Sequence, residues 1–161
     1  PAIDPLISWS KYKGVVDPEK TAFCKEILHH GYEIGTMMKV VGEEGTSLSD
    51  YIVYLKEEML DAVYLQQNSF DLVEANCGKE RQRYVTDKLI KILGSEYDLS
   101  DKDLARSFFN SMRQKFIDWN YTEFESEAFK KAEAEIDDIY NQGDGKLGRD
   151  AELLLKEGET V

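Results

Sequence analysis

Along this chain the apolar residues recur every three or four positions, which is the spacing of one helix face. Phe23, Ile27, Ile34, Met38 and Val41 predict a first helix over about 18–41, with Asp17 as its N-cap and Pro18 at the first helical position. Gly31 and Gly35 fall inside it, where they either weaken the helix or admit a closely packed neighbour. The run Gly42-Glu43-Glu44-Gly45-Thr46 breaks the pattern, and Ser47 with Asp50 restarts it as a capping pair. Ile52, Leu55, Met59 and Val63 then carry a second helix to about Gln67, and 68–78 read as irregular. A third helix from Lys79 buries Tyr84, Val85, Leu89, Ile92 and Leu93 and stops near Gly94. Ser100 with Asp103 opens a fourth, whose stripe is Leu104, Phe108, Met112, Phe116 and Trp119. A fifth, about 123–141, shows Phe129, Ala132, Ile136 and Ile139, and there is room for a short helix around 150–157.

No alternating β-branched stretch reaches strand length, no repeat is visible, and no proline follows Pro18. The pattern therefore predicts an all-α fold, an irregular bundle of five to six helices following a short extended N-terminal arm. It divides the chain into an irregular arm (1–17), a helical bundle (18–141) and an acidic, Gly-containing tail (142–161). With 161 residues and 42% hydrophobic positions, the chain suits one core and is too apolar for disorder. No apolar run approaches the roughly 20 residues that span a bilayer, and nothing at the start reads as a signal peptide. A net charge of −12 argues against nucleic acid as a partner, since that affinity comes largely from cationic contacts to phosphate. The charge is uneven: residues 122–161 hold 12 acids and 5 bases, which reads as a solvated final helix and a loose tail. The opening Pro1-Ala2-Ile3, without Met, suggests a processed or excised piece of something longer. Cys24 and Cys77 are too far apart for a metal or redox pair and read as two reduced structural thiols of a cytosolic protein.

Candidate chemistry is sparse. His29 and His30 are adjacent, so on a helix they point about 100° apart and cannot share one metal ion. Gly143-Asp144-Gly145-Lys146 lacks the earlier Gly and the following Ser or Thr of a phosphate loop. The acid pairs Glu57-Glu58 and Asp137-Asp138 have no nucleophile or His partner nearby and read as solvated helix faces. No self-contained active site can be assembled.

Two segments and the turn between them carry a family resemblance. Residues 64–77, Tyr-Leu-Gln-Gln-Asn-Ser-Phe-Asp-Leu-Val-Glu-Ala-Asn-Cys, resemble a signature of the catalytic A subunit (alpha chain) of V-type and archaeal-type rotary ATPases. In that family an aromatic-Leu-Gln-Gln-Asn-small-Phe-Asp run follows a helix and leads to a Cys near the subunit's C-terminus. Pro1-Ala2-Ile3-Asp4-Pro5-Leu6 resembles the exit from the nucleotide-binding domain, and residues 40–50 resemble the acidic helix-turn-helix tip.

The resemblance implies a C-terminal helical domain whose subunit binds ATP or ADP with Mg²⁺ through residues elsewhere. The fragment alone would be inactive, with no catalytic residue, no metal site and no tightly held nucleotide. It implies that Phe70 stacks on adenine, that Asn68 and Ser69 line the same turn, and that Gln67 supports it. It also places Asn76 in this pocket, where the family commonly has an aromatic, a departure that bears on the second ring contact to adenine. Glu43, Glu44, Ser47, Ser49 and Asp50 would form the tip that bears on the central rotor stalk. The implied partners are noncatalytic B subunits and stalk subunits, with coupling to proton or sodium transport. The implied location is cytoplasmic and peripheral to the membrane, without direct insertion. The rival expectation is a free-standing acidic helical adaptor that binds a basic partner.

Overall fold

The computed structural model describes residues 18–71 and 78–159, with the backbone alone for 64–71, 78, 79, 82 and 157–159. The helices are α1 (Pro18–Val41), α2 (Leu48–Asp71), α3 (Gly78–Leu93), α4 (Lys102–Asn120), α5 (Glu127–Gln142) and α6 (Arg149–Glu159). A two-residue bridge joins β1 (Ser95–Glu96) to β2 (Lys146–Leu147). This is an all-α bundle, as the periodicity predicts.

The longest elements make an antiparallel hairpin. α1 and α2 each run 24 residues, and α2 packs on α1 along one face and on α4 along another. Their apolar stripes meet in a core that includes Cys24, Leu28, Leu55, Met59, Leu60 and Val63. Gly31 lets the two backbones approach closely, since a Cβ there would lie 2.2 Å from the Cβ of Glu57. Gly31 therefore serves the packing role rather than the weakening one.

α4 packs on α5 as well as α2, and Trp119 closes the junction with α3. Its ring lies 4.9 Å from Phe129, 5.2 Å from Phe116 and 6.1 Å from Tyr84, centroid to centroid. Polar ties surround this wedge. Lys88 of α3 reaches Asp137 and Glu133 of α5, and the Tyr84 hydroxyl donates to Glu133 at 2.5 Å. Lys20 of α1 meets Asp87 of α3 at 2.5 Å.

Several boundaries differ from the periodic reading. α2 continues to Asp71 instead of fraying at residue 68, because Gln66, Gln67 and their neighbours include no Gly or Pro to stop it. α5 starts at Glu127, where the Ser126 hydroxyl accepts from the Phe129 N–H at 3.1 Å. α4 is capped by Asp101 rather than Ser100, its carboxylate accepting from the Leu104 N–H at 2.7 Å. Asp17, the expected first cap, and Cys77 lie outside the described residues, while Cys24 is buried and free.

The acidic end is docked on the bundle where a loose tail was expected. Ser95 pairs with Leu147 and Glu96 with Lys146, and the Gly148 N–H donates to the Gly94 carbonyl at 2.9 Å. Ala151 at the start of α6 is buried against Gly94 at the end of α3. Ser95, fully buried, shares a 2.8 Å hydrogen bond with the Tyr140 hydroxyl of α5. A pairing this short has no period to detect in the sequence.

Candidate functional site

At one end of the hairpin, Gly42–Thr46 turns the chain from α1 into α2. Gly42 takes φ +79°, which costs other residues strain, and its N–H donates to the Met38 carbonyl at 2.8 Å. The Thr46 N–H donates to the Glu43 carbonyl at 3.1 Å, and its hydroxyl to the Gly42 carbonyl at 3.1 Å. Ser47 caps α2 as its position suggests, accepting from the Asp50 N–H at 3.2 Å. Glu43, Glu44, Ser47, Ser49 and Asp50 thus gather at one end of the molecule, with Glu43, Glu44, Ser47 and Ser49 exposed. Beside them Met37, Val40 and Val41 are also exposed, Val40 by 84%.

Glu43 faces back onto its own chain. Its carboxylate accepts from Arg106 Nη2, and its carbonyl accepts from Lys102 Nζ. Arg106 also donates through Nε to the Tyr51 hydroxyl at 2.9 Å and lies 3.5 Å from Asp103. Neither Lys102 nor Arg106 was a candidate in the sequence. They stand 59 and 63 residues beyond Glu43, and only the packing of α4 on α2 brings them together.

At the opposite end of α2, Gln67, Asn68, Ser69 and Phe70 occupy its last turns, described by backbone alone. Asn76 lies outside the described residues.

Midway along α2 sits a carboxylate that the sequence reading misjudged. Glu57 was expected on a solvated face and is 4% exposed, held at the Gly31 crossing. Burial, then the Asp61 and Glu58 carboxylates, push its pKa up to about 7. Burial also raises Asp61, whose Oδ1 has no hydrogen-bond partner. Glu58 does sit at the surface side, accepting from the Tyr54 hydroxyl at 2.6 Å.

A carboxyl raised from 4.5 to about 7 favours the fold in its protonated form. That contribution is whole below pH 4.5 and is lost as pH rises through about 7. Glu57→Gln keeps the neutral shape, so it should match the parent chain at pH 4 and exceed it by about 2 kcal/mol at pH 8. Urea melts at the two pH values measure this; equal differences at both would show that Glu57 ionises freely.

A cavity of about 410 Å³ opens between α1, α2 and the start of α6. Glu26, Glu96 and Asp150 alternate with Lys56 and Arg149 around it, so no single sign of charge prevails. Lys56 is spoken for, donating to the Ser95 carbonyl at 2.9 Å. His29 pairs with Glu33 one helical turn on, at 3.3 Å. Among the described residues no group of three or more His, Cys, Asp or Glu could hold a metal ion, and no helix is long and apolar enough to cross a membrane.

The fold and tip define a helical domain organised around one long hairpin. Residues 18–91, which take in α1, α2 and nearly all of α3, match the family model for the C-terminal domain of V and A type ATP synthase. The chain belongs to this family. It is 52% identical over 139 residues to the V-type ATP synthase alpha chain of Borrelia turicatae (strain 91E135), covering 86% of this chain and 24% of that one. The alpha chain of Borreliella burgdorferi (strain ZS7) is 49% identical over 141 residues, 88% of this chain and 24% of that one. That of Treponema denticola is 47% identical over 157 residues, 98% of this chain and 27% of the relative. The chain therefore spans about a quarter of the length of these relatives. No solved structure matches it.

Proposed function

We propose that this chain is the C-terminal part of the ATP-hydrolysing or ATP-synthesising subunit of a V/A-type rotary ATPase. In this reading it forms one wall of the adenine pocket and passes nucleotide-driven motion to the central rotor. The observation that carries the reading is the single helix α2. Its N-terminus leaves the acidic tip and its C-terminal turns hold the Gln67–Phe70 run, and 24 residues span about 36 Å. One stiff element thus joins the two regions, braced by α1 at the Gly31 crossing. Movement at the nucleotide end would reappear at the tip with little lost to bending.

Phe70 offers an aromatic face to the base, with Asn68, Ser69 and Gln67 beside it on the same turns. The phosphates and Mg²⁺ of ATP or ADP fall to residues elsewhere in the longer subunit, so this chain by itself turns over no ATP. The arm at 1–17 leads from the nucleotide-binding domain, the bundle at 18–141 moves, and noncatalytic B subunits and stalk subunits surround it. The machine couples to proton or sodium transport, with this domain on the cytoplasmic side and peripheral to the membrane. Identity near 50% to alpha chains supports this reading over a free-standing adaptor.

Phe70→Ala in the full-length, assembled subunit should raise the KM for ATP about tenfold, within the roughly 1–3 kcal/mol that base stacking is worth. Phe70→Tyr should stay near the parent value. An unchanged KM in the Ala variant would make Phe70 a packing residue and remove the adenine wall from the reading.

A further inference from the structure

We infer that Arg106 is a positioning residue for the tip, latching the Gly42–Thr46 turn to α4 so that tip and bundle move as one body. This rests on the reading of the tip as the rotor contact. One guanidinium joins three elements. Nη2 holds the Glu43 carboxylate of the turn, Nε donates to Tyr51 of α2 at 2.9 Å, and Nη1 lies 3.5 Å from Asp103 of its own helix. Tyr51 is a fixed anchor, 3% exposed and packed in the core, and the guanidinium sits 5.7 Å from its ring centroid.

One turn earlier on α4, Lys102 donates to the Glu43 carbonyl, so backbone and side chain of the same residue are both held. A planar fork with several fixed donors suits this junction, where the point charge of Lys would serve one partner at a time. An isolated exposed ion pair contributes little, but here the pair is one arm of a network seated on a buried phenol.

The latch reassigns the tip's chemistry. Glu43 is engaged by Arg106 on its own chain, and the surface left for the rotor is Glu44, Ser47 and Ser49 with the exposed Met37, Val40 and Val41. Without the latch, the turn retains its own hydrogen bonds, two glycines and the single Lys102 bond to the Glu43 carbonyl, about which it can swing while the helices stay folded. Force from the bundle would then be absorbed in the turn.

The test uses the assembled ATPase in vesicles, reading ATP turnover and ions moved per ATP together with the melting temperature of the subunit. Arg106→Gln should lower ions moved per ATP about fivefold while turnover stays within about twofold, a size typical of coupling inside one contact network. Glu43→Arg alone should uncouple similarly. The exchanged pair, Glu43→Arg with Arg106→Glu, should recover coupling, because a Glu can also accept from the Tyr51 hydroxyl. Deleting 43–45 is the reference variant. If that deletion uncouples and Arg106→Gln does not, the latch is wrong and the rotor reading stands. If the deletion also leaves coupling intact, the rotor reading falls and takes the latch with it. A parallel loss of turnover, coupling and melting temperature in Arg106→Gln would show a general structural role and overturn the inference.

Discussion

Trp119→Ala is expected to destabilise this chain by about 3–5 kcal/mol, the range for emptying a large aromatic site in a core. The indole is fully buried and touches rings from three helices: Tyr84 of α3, Phe116 of its own α4 and Phe129 of α5. Few neighbours can collapse into the gap, because Lys88 with Glu133 and Asp137, and Arg81 with the Asn120 carbonyl at 2.6 Å, pin the surrounding helices in place. At about 2–4 °C per kcal/mol for a chain of this size, the melting temperature should fall by roughly 10 °C. Trp119→Phe is the informative contrast. The indole Nε1 is buried without a hydrogen-bond partner, so losing it removes an unsatisfied donor and the change should cost less than about 1.5 kcal/mol. Denaturant melts of both variants decide the point; equal losses would mean that the ring contacts are not what holds this junction.

Gly31→Leu should be the next most damaging change, at about 3 kcal/mol, with Gly31→Ala at about 1–2 kcal/mol. Any side chain there begins 2.2 Å from the Cβ of Glu57 and 2.6 Å from its Cγ, so the helices must move apart. Removing a mid-helix glycine would by itself favour α1 by about 1 kcal/mol, and the overlap outweighs that gain. Gly35→Ala is the internal control. Its nearest neighbour is the Tyr54 ring at 3.1 Å, which can turn aside, so the change should fall within about 0.5 kcal/mol of neutral. Thermal melts of the three variants test the crossing; a stabilised Gly31→Ala would show that the hairpin is looser than this geometry allows. The same crossing buries Glu57, so Gly31 variants should also flatten the pH dependence that Glu57→Gln removes.

The helices were legible because each carries its own evidence. The stripe Leu104–Phe108–Met112–Phe116–Trp119 repeats at the helical period, and its last four side chains are buried in α4, while Leu104 in the first turn is 46% exposed. Ser47 announces α2 because a cap acts within one turn, and the observed bond to the Asp50 N–H is that local. The Gln-Gln-Asn-Ser-Phe-Asp run was legible in another way, as a family likeness, and the relatives support the family it pointed to. Where the reading erred, the competing signal was also local. Glu57 beside Glu58 looked like an acidic surface, yet on a helix neighbouring residues face about 100° apart, and one of the pair turned inward. The fifth helix was expected from about 123, but Glu125 takes φ 64° and the helix starts only after Ser126.

By itself, then, the sequence determined the all-α class, the order of the helices, most of each apolar face (Val41, Tyr84 and Leu104 are exposed) and the family likeness. Each depends on residues within a few turns of one another. The tertiary structure alone decided which faces meet: Gly31 on Glu57, Arg106 on Glu43, and Lys146–Leu147 on Ser95–Glu96. Those partners are 26, 63 and about 50 residues apart, and no local period links them. Their meeting follows from burying several apolar stripes at once in a single core, a constraint that exists only when the whole chain is folded.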